Sequence, residues 1–251
     1  MTNLVRAHAV AYQTIHRLQP QARVGMAINI RPFLPKTSWS PLDHWIAGQA
    51  SLVFNEFFPN ALQSGKLRLP GYSQRVPEAQ STQDYLGINY YHRDYVSANL
   101  LNIVKSIETP SFPPGTEVSP SKMFANDPRG FFQALKWGTK FGIPINVTEN
   151  GIEDAEDLLR PRYLIQHIHQ MWRAVNFNIP VKGYFHWTLV DNFEWERGWS
   201  QRFGLWELDI ESQTRSKRPS ADLYAEICRE NGLSSDMVAR YAPQLVEIMF
   251  P

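Results

Sequence analysis

Cysteine is nearly absent: Cys228 is the only one in 251 residues. That excludes an internal disulfide and a cysteine-rich metal centre, and it fits a reducing compartment. An excess of charge of either sign is absent as well. Lys and Arg number 25 against 24 Asp and Glu, a formal net charge of +1. Nothing electrostatic therefore points to a nucleic acid or an anionic membrane as partner. No apolar run is long enough to span a bilayer, and Met1–Gln19 holds no continuous apolar stretch of the signal-peptide kind. The expected location is the cytoplasm. Internal repeats and low-complexity tails are missing too. What the chain does have is aromatic residues, with eight Trp and ten Tyr. Most aromatics serve cores; sugar sites are the other common home of Trp, because the C–H face of a pyranose packs on a ring.

Four short, nearly continuous apolar runs rich in Val, Ile, Tyr and Phe read as parallel strands covered on both faces: Arg23–Ile30, Asp84–Tyr91, Ile143–Asn150 and Val181–Val190. Helical patterns alternate with them. Leu4, Ala7, Ala11, Ile15 and Leu18 recur at helical spacing before the first strand, and a long helical stretch closed by Gly65 follows it. Asp127 and Pro128 stand where a cap and a first helical residue belong, with Gly142 beyond the end. Further helices are expected over Arg160–Phe177, Ser220–Asn231 and the segment Ser234–Met249, while Arg31–Pro41 and Thr109–Pro120 read as long loops. The order α(βα)×4 places the chain, taken as a single domain over 1–251, in the α/β class of the barrel or doubly wound kind. An eight-stranded barrel takes about 250 residues, yet only four strands are legible. Either the loops are long and the sheet is open, or the chain is the second half of a larger barrel.

In β/α barrels the reactive groups sit where strands give way to βα loops. Here those ends read Asn29, Asn89-Tyr90-Tyr91, Glu149-Asn150-Gly151 and His186-Trp187, the last running on into Asp191–Leu205. Carboxylates, amides, phenols and indoles converge on one rim, which describes a polyol or sugar site with a carboxylate aimed into it. On residue type alone, Glu149 reads equally as a cap for the turn that follows. Tyr90 and Tyr91 alternate, so one points inward and the other into the helix layer. His167 and His169 are two apart on a helix and share no face, which argues against a metal pair. His186, with Asp191 nearby in sequence, reads as a packing and hydrogen-bonding group, Trp199 as packing, and the basic run Arg215–Arg218 as a solvated loop.

The stretches "VTENGIED", "YLGINYY" and "GYFHWTLVDNFEWERGWSQRFGL", together with "NLVRAHAVAY" near the start and "RSKRPSADLY" near the end, resemble glycoside hydrolase family 1, the retaining β-glucosidases and β-galactosidases. The resemblance implies a (β/α)8 barrel of the TIM type, of which about the last four β/α units are present as a half-barrel. It implies that Glu149 is the catalytic nucleophile, forming a covalent glycosyl intermediate. Tyr91 corresponds to the tyrosine that hydrogen-bonds this carboxylate, with Asn89 beside it. Trp187 corresponds to the platform under the sugar, Glu194 and Trp195 to the residues gripping its hydroxyls, and Phe203 to the aromatic floor near its hydroxymethyl group. The expected substrate is a β-glycoside or small oligosaccharide, and no cofactor or metal is implied.

A retaining glycosidase needs a second carboxylate about 5–5.5 Å from the first. In the resembled family it sits in an Asn-Glu-Pro stretch, which this sequence does not contain. Asn55-Glu56 falls in a mid-helix segment and is rejected. The expectation is therefore a gene fragment, a truncated reading frame or one half of a split enzyme, whose open edges invite a complementary N-terminal half-barrel or self-association. A non-catalytic sugar-binding half-barrel and a nonfunctional remnant are the alternatives.

Overall fold

The computed structural model of the protein describes residues 1–98 and 111–250; Thr109 and Pro110, at the start of one expected loop, lie outside the described residues. The four apolar runs form strands, as β1 (Gly25–Asn29), β2 (Tyr85–Tyr90), β3 (Ile145–Asn150) and β4 (Val181–Tyr184). They lie side by side in sequence order and every neighbouring pair is parallel, with Met26 opposite Leu86, Ile88 opposite Val147 and Ile145 opposite Val181. Doubly wound sheets reverse their strand order at a switch point. A sheet that winds one way only is of the barrel kind. β1 and β4 are each paired on one side alone, so the described sheet is open at both ends.

The helical layer comprises α1 (Thr2–Leu18), α2 (Pro41–Ser51), α3 (Phe57–Ser64), α4 (Pro128–Gly138), α5 (Arg160–Asn176) and α6 (Pro219–Glu230). α2 and α3 run on through a wide turn at Leu52–Glu56. Local chemistry sets the ends. The Asp127 side chain accepts from the Gly130 amide at 3.2 Å with Pro128 in first position, which caps α4. Gly65 closes α3 at φ +66°, a left-handed conformation open to glycine without steric cost.

The largest core lies between sheet and helices, where Leu86, Ile88, Ile145 and Val147 meet Phe131, Ala134 and Leu135 of α4. On the opposite face of the strands, Asn29, Asn89, Asn146 and Thr148 are exposed or half-buried. The expectation of strands covered on both faces thus holds for one face of the described residues. Two further expectations are revised. The run Val181–Val190 is a regular strand only to Tyr184: Phe185 and Trp187 still bond Val147 and Asn150 of β3, and from Thr188 the chain changes partner, with Thr188 bonding Phe203, Leu205 bonding Thr188 and Trp206 bonding Leu189. The final helical segment divides into Ser235–Tyr241 and shorter turns at Pro243, whose ring cannot continue a helix. The apolar stripe of α1 is solvent-exposed along its length, and Val5, His8 and Ala9 on another face pack against the rest of the chain.

Candidate active site

The ends of β2, β3 and β4 carry the site, and buried polar ties fix their relative positions. Asn150, fully buried at the end of β3, donates to the Tyr90 carbonyl and to the Tyr163 hydroxyl, both at 2.8 Å, and accepts from Tyr184 at 2.9 Å. Its own carbonyl accepts from the Trp187 amide at 3.0 Å. Gly151 follows because nothing larger fits: a Cβ there would stand 1.9 Å from the Trp187 carbonyl oxygen. The Glu-Asn-Gly sequence that ends β3 is therefore one rim carboxylate followed by two residues that lock the next strand's loop against it.

Glu149 is half-buried, and its Oε2 accepts a 2.6 Å hydrogen bond from the Tyr91 hydroxyl. Asn89 lies beside it, accepting from Thr148 at 2.5 Å. Tyr90 turns the other way, into the helix layer, where it donates to Asp127. Across the site, Glu194 accepts from Asn192 at 2.7 Å and from the Trp187 indole at 3.3 Å. A cavity of about 160 Å3 opens among Tyr91, Trp187, Glu194 and Phe203, with Asn29 and Arg31 also in its wall. Phe203 is buried and packs edge-on against Tyr91. Three of the expected site residues are not among those lining the cavity: Glu149 meets it through its bond from Tyr91, Asn89 lies beside Glu149, and Trp195 stands apart, 83% exposed in the turn after Glu194.

Burial raises the pKa of Glu149 and the Glu194 charge adds to the rise, against the opposing bonds from Tyr91 and Asn89. Burial, then the Glu149 carboxylate, holds the Tyr91 phenol far above its ordinary value, so it remains a donor at all working pH. A raised carboxyl pKa means that the folded state binds this proton more tightly than the unfolded chain does. Above the folded pKa the ionised group costs stability, and the cost fades as pH falls below it. Glu149→Gln, neutral throughout, is expected to melt higher than the parent at neutral pH, and the gap should close on acidification. Melting curves of the two proteins across pH 4–8 check this; a variant less stable at neutral pH would contradict it.

Sequence reasoning missed several groups. Arg31, His92 and Phe124 also line the cavity, but they come from separate loops with no shared motif. Among the described residues His186 makes no hydrogen bond or ion pair with Asp191: both of its ring nitrogens are buried without a hydrogen-bond partner there, and burial, with nearby Arg160, lowers its pKa to about 3. His167 is fully buried and stacked on Tyr163, while His169 is half-buried and stacks on Trp172, so the two do not share a face. The basic run is only partly solvated: Arg218 is buried and forks onto Asp191, with both contacts at 3.1 Å. Glu56 pairs with Lys140 at 3.1 Å.

The model of Glycosyl hydrolase family 1 matches residues 1–233. A β-galactosidase of Sulfolobus acidocaldarius is 32% identical over 245 residues, covering 94% of this chain and 48% of its own length. The chain thus spans about half the length of the curated relatives it matches. Among solved structures, the β-glycosidase from Pyrococcus horikoshii superposes with a TM-score of 0.86 at 34% identity, over 96% of this chain and 55% of that one. The β-glucosidase from Thermotoga maritima in complex with glucoimidazole gives 0.83 at 26% identity, over 92% of this chain and 56% of that one.

Proposed function

The chain belongs to glycosyl hydrolase family 1, and from that premise we propose that it carries the nucleophile side of a retaining β-glycosidase site. Its parallel sheet with flanking helices is part of the (β/α)8 barrel of its structural relatives. The observation that carries the functional reading is the 2.6 Å bond from Tyr91 to Glu149 beside a cavity walled by Trp187 and Glu194. Glu149 attacks the anomeric carbon; the C–O bond to the leaving group breaks as the ester to Oε forms. Tyr91 orients the carboxylate and, as the ester forms, releases it from its strongest hydrogen bond. Trp187 supplies the apolar surface under the ring, and Glu194, held by Asn192 and Trp187, accepts from sugar hydroxyls. This chemistry runs on carboxylates and needs no cofactor or metal.

The proton for the leaving oxygen must come from a second carboxylate. Glu194 is engaged with its two donors, and Asp94 is buried against Arg31. We infer that the acid/base is supplied by sequence other than this chain's, which holds no Asn-Glu-Pro stretch. The preferred substrate is a β-glucoside or a related β-glycoside. Glucoimidazole, the molecule bound to the Thermotoga maritima relative, is the direct probe. Calorimetric titration should show binding that Trp187→Ala weakens about tenfold, equivalent to about 1.4 kcal/mol. Equal affinity in parent and variant would remove Trp187 from the sugar site and with it this reading.

A further inference from the structure

One buried carboxylate is explained neither by the site nor by an ion pair. Glu153, in the loop after β3, is 6% exposed. Buried carboxylates are rarely found without a cation, and Asp94, Asp157 and Asp191 each have an arginine. Among the described residues Glu153 has hydroxyls instead: Ser121 and, at 3.4 Å, Ser119 donate to its Oε2. Both serines belong to one small hairpin. Val118 pairs antiparallel with Ala125, the Ser119 amide donates to the Phe124 carbonyl at 2.8 Å, and Lys122 turns the tip at φ +62°. Gln201, in the loop after β4, reaches the same tip, at 3.4 Å from the Ser121 hydroxyl and 3.7 Å from Met123 Sδ. Pro120, Ser121 and Lys122 are otherwise exposed. The carboxylate therefore supplies an anchor that packing does not, and hydrogen bonds to a charged acceptor are the stronger kind.

What the hairpin carries is Phe124. Its ring lines the cavity, packs edge-on against Phe203 at 5.1 Å between centroids and lies 5.5 Å from the Tyr91 ring. Phe203 meets Tyr91 as well, at 6.3 Å. Two phenyl rings thus hold the phenol whose hydroxyl donates to Glu149. We propose that Glu153 is a positioning residue of the site: through Ser119 and Ser121 it fastens the hairpin that keeps Phe124 against Tyr91, and so sets the aim of the Tyr91 hydroxyl at Glu149. This rests on the reading of Glu149 as nucleophile and deepens it, by naming what keeps its hydrogen-bond donor in place.

The test follows glycosyl-ester formation on Glu149 from a dinitrophenyl β-glucoside, by mass spectrometry of the intact chain as a function of pH. The bond from Tyr91 favours the ionised carboxylate, against burial and the Glu194 charge. A misaimed Tyr91 therefore moves the rising limb of the profile to higher pH, whereas simple removal of a nearby negative charge moves it lower. Glu153→Ala is expected to raise the midpoint by roughly half a unit to one unit and to slow ester formation at neutral pH about tenfold. Glu153→Gln, whose amide oxygen still accepts from Ser121, should restore most of the rate. In a Tyr91→Phe background Glu153→Ala should add no more than about a twofold loss, because the group it acts through is gone. Ser121→Ala, at an exposed position, should shift the midpoint in the same direction by less, and it decides the matter if Glu153→Ala does not fold. A full additional loss in the Tyr91→Phe background, or a midpoint that stays or falls in Ser121→Ala, overturns the proposal and leaves the nucleophile reading standing. A parent chain that forms no ester on Glu149 overturns that reading, and this proposal with it.

Discussion

Asp191→Ala is expected to destabilise the protein by about 3–5 kcal/mol, the range for removing one partner of a buried ion pair. At 2–4 °C per kcal/mol for a chain of this size, the melting midpoint should fall by roughly 6–20 °C. The cause is what the substitution leaves behind. Asp191 accepts from both arms of Arg218 and from the amides of Gly204 and Leu208. Without it, Arg218 keeps only the carbonyls of Gly204 and Ala155, so a cation stays buried with no counter-charge. The pair also joins the loop after β4 to the start of α6, and Arg160 ties the loop after β3 to the same region through Asp154, Asp157 and Arg202. Two comparisons make the result diagnostic. Arg215→Ala, in the exposed part of the same basic run, should stay within about 0.5 kcal/mol. Replacing Asp191 and Arg218 together by Leu and Met should recover much of the loss, because no charge is then stranded. A single substitution no worse than Arg215→Ala would show that the buried fork contributes little.

Sodium azide is expected to accelerate turnover of an activated aryl glycoside by about 10²–10⁴, the range in which a general base contributes. An excellent leaving group departs with little protonation, so the proposed mechanism has Glu149 glycosylated without the acid. Release is different. Water is a poor nucleophile until a base takes its proton, and the carboxylates beside the site are engaged elsewhere. Azide attacks without losing a proton, breaks the ester to Glu149 and leaves a glycosyl azide of the same anomeric configuration as the substrate. Chromatography of the products and the rate of phenolate release measure both outcomes. Rapid hydrolysis indifferent to azide would mean that a residue of this chain already serves as the base.

How far the sequence revealed this depended on the distance between interacting groups. Strand cores and the cap at Asp127 were legible because their causes lie within a few residues of one another. The rim residues Tyr91, Glu149, Trp187 and Glu194 were legible through long motifs, and the structure brings these four side chains together. The end of β4 was not, because the apolar character of Phe185–Val190 says nothing about which segment it will pair with. Leu189 is 64% exposed. Arg218 was misread for the same reason: its neighbours in sequence are solvated, and the carboxylate that buries it is 27 positions away. The helix of α1 was evident from periodicity, but periodicity marks an apolar face without stating whether this chain supplies the surface that covers it.

The central claim is that Glu149 is presented to a sugar ring as an attacking group. Its most direct test is peptide mapping by mass spectrometry after incubation with a dinitrophenyl β-glucoside at a pH above the raised pKa of that carboxyl. The expected result is a single glycosyl ester on the peptide containing Glu149, absent from Glu149→Gln. An unmodified Glu149 peptide, or an ester found on Glu194 instead, would contradict the account.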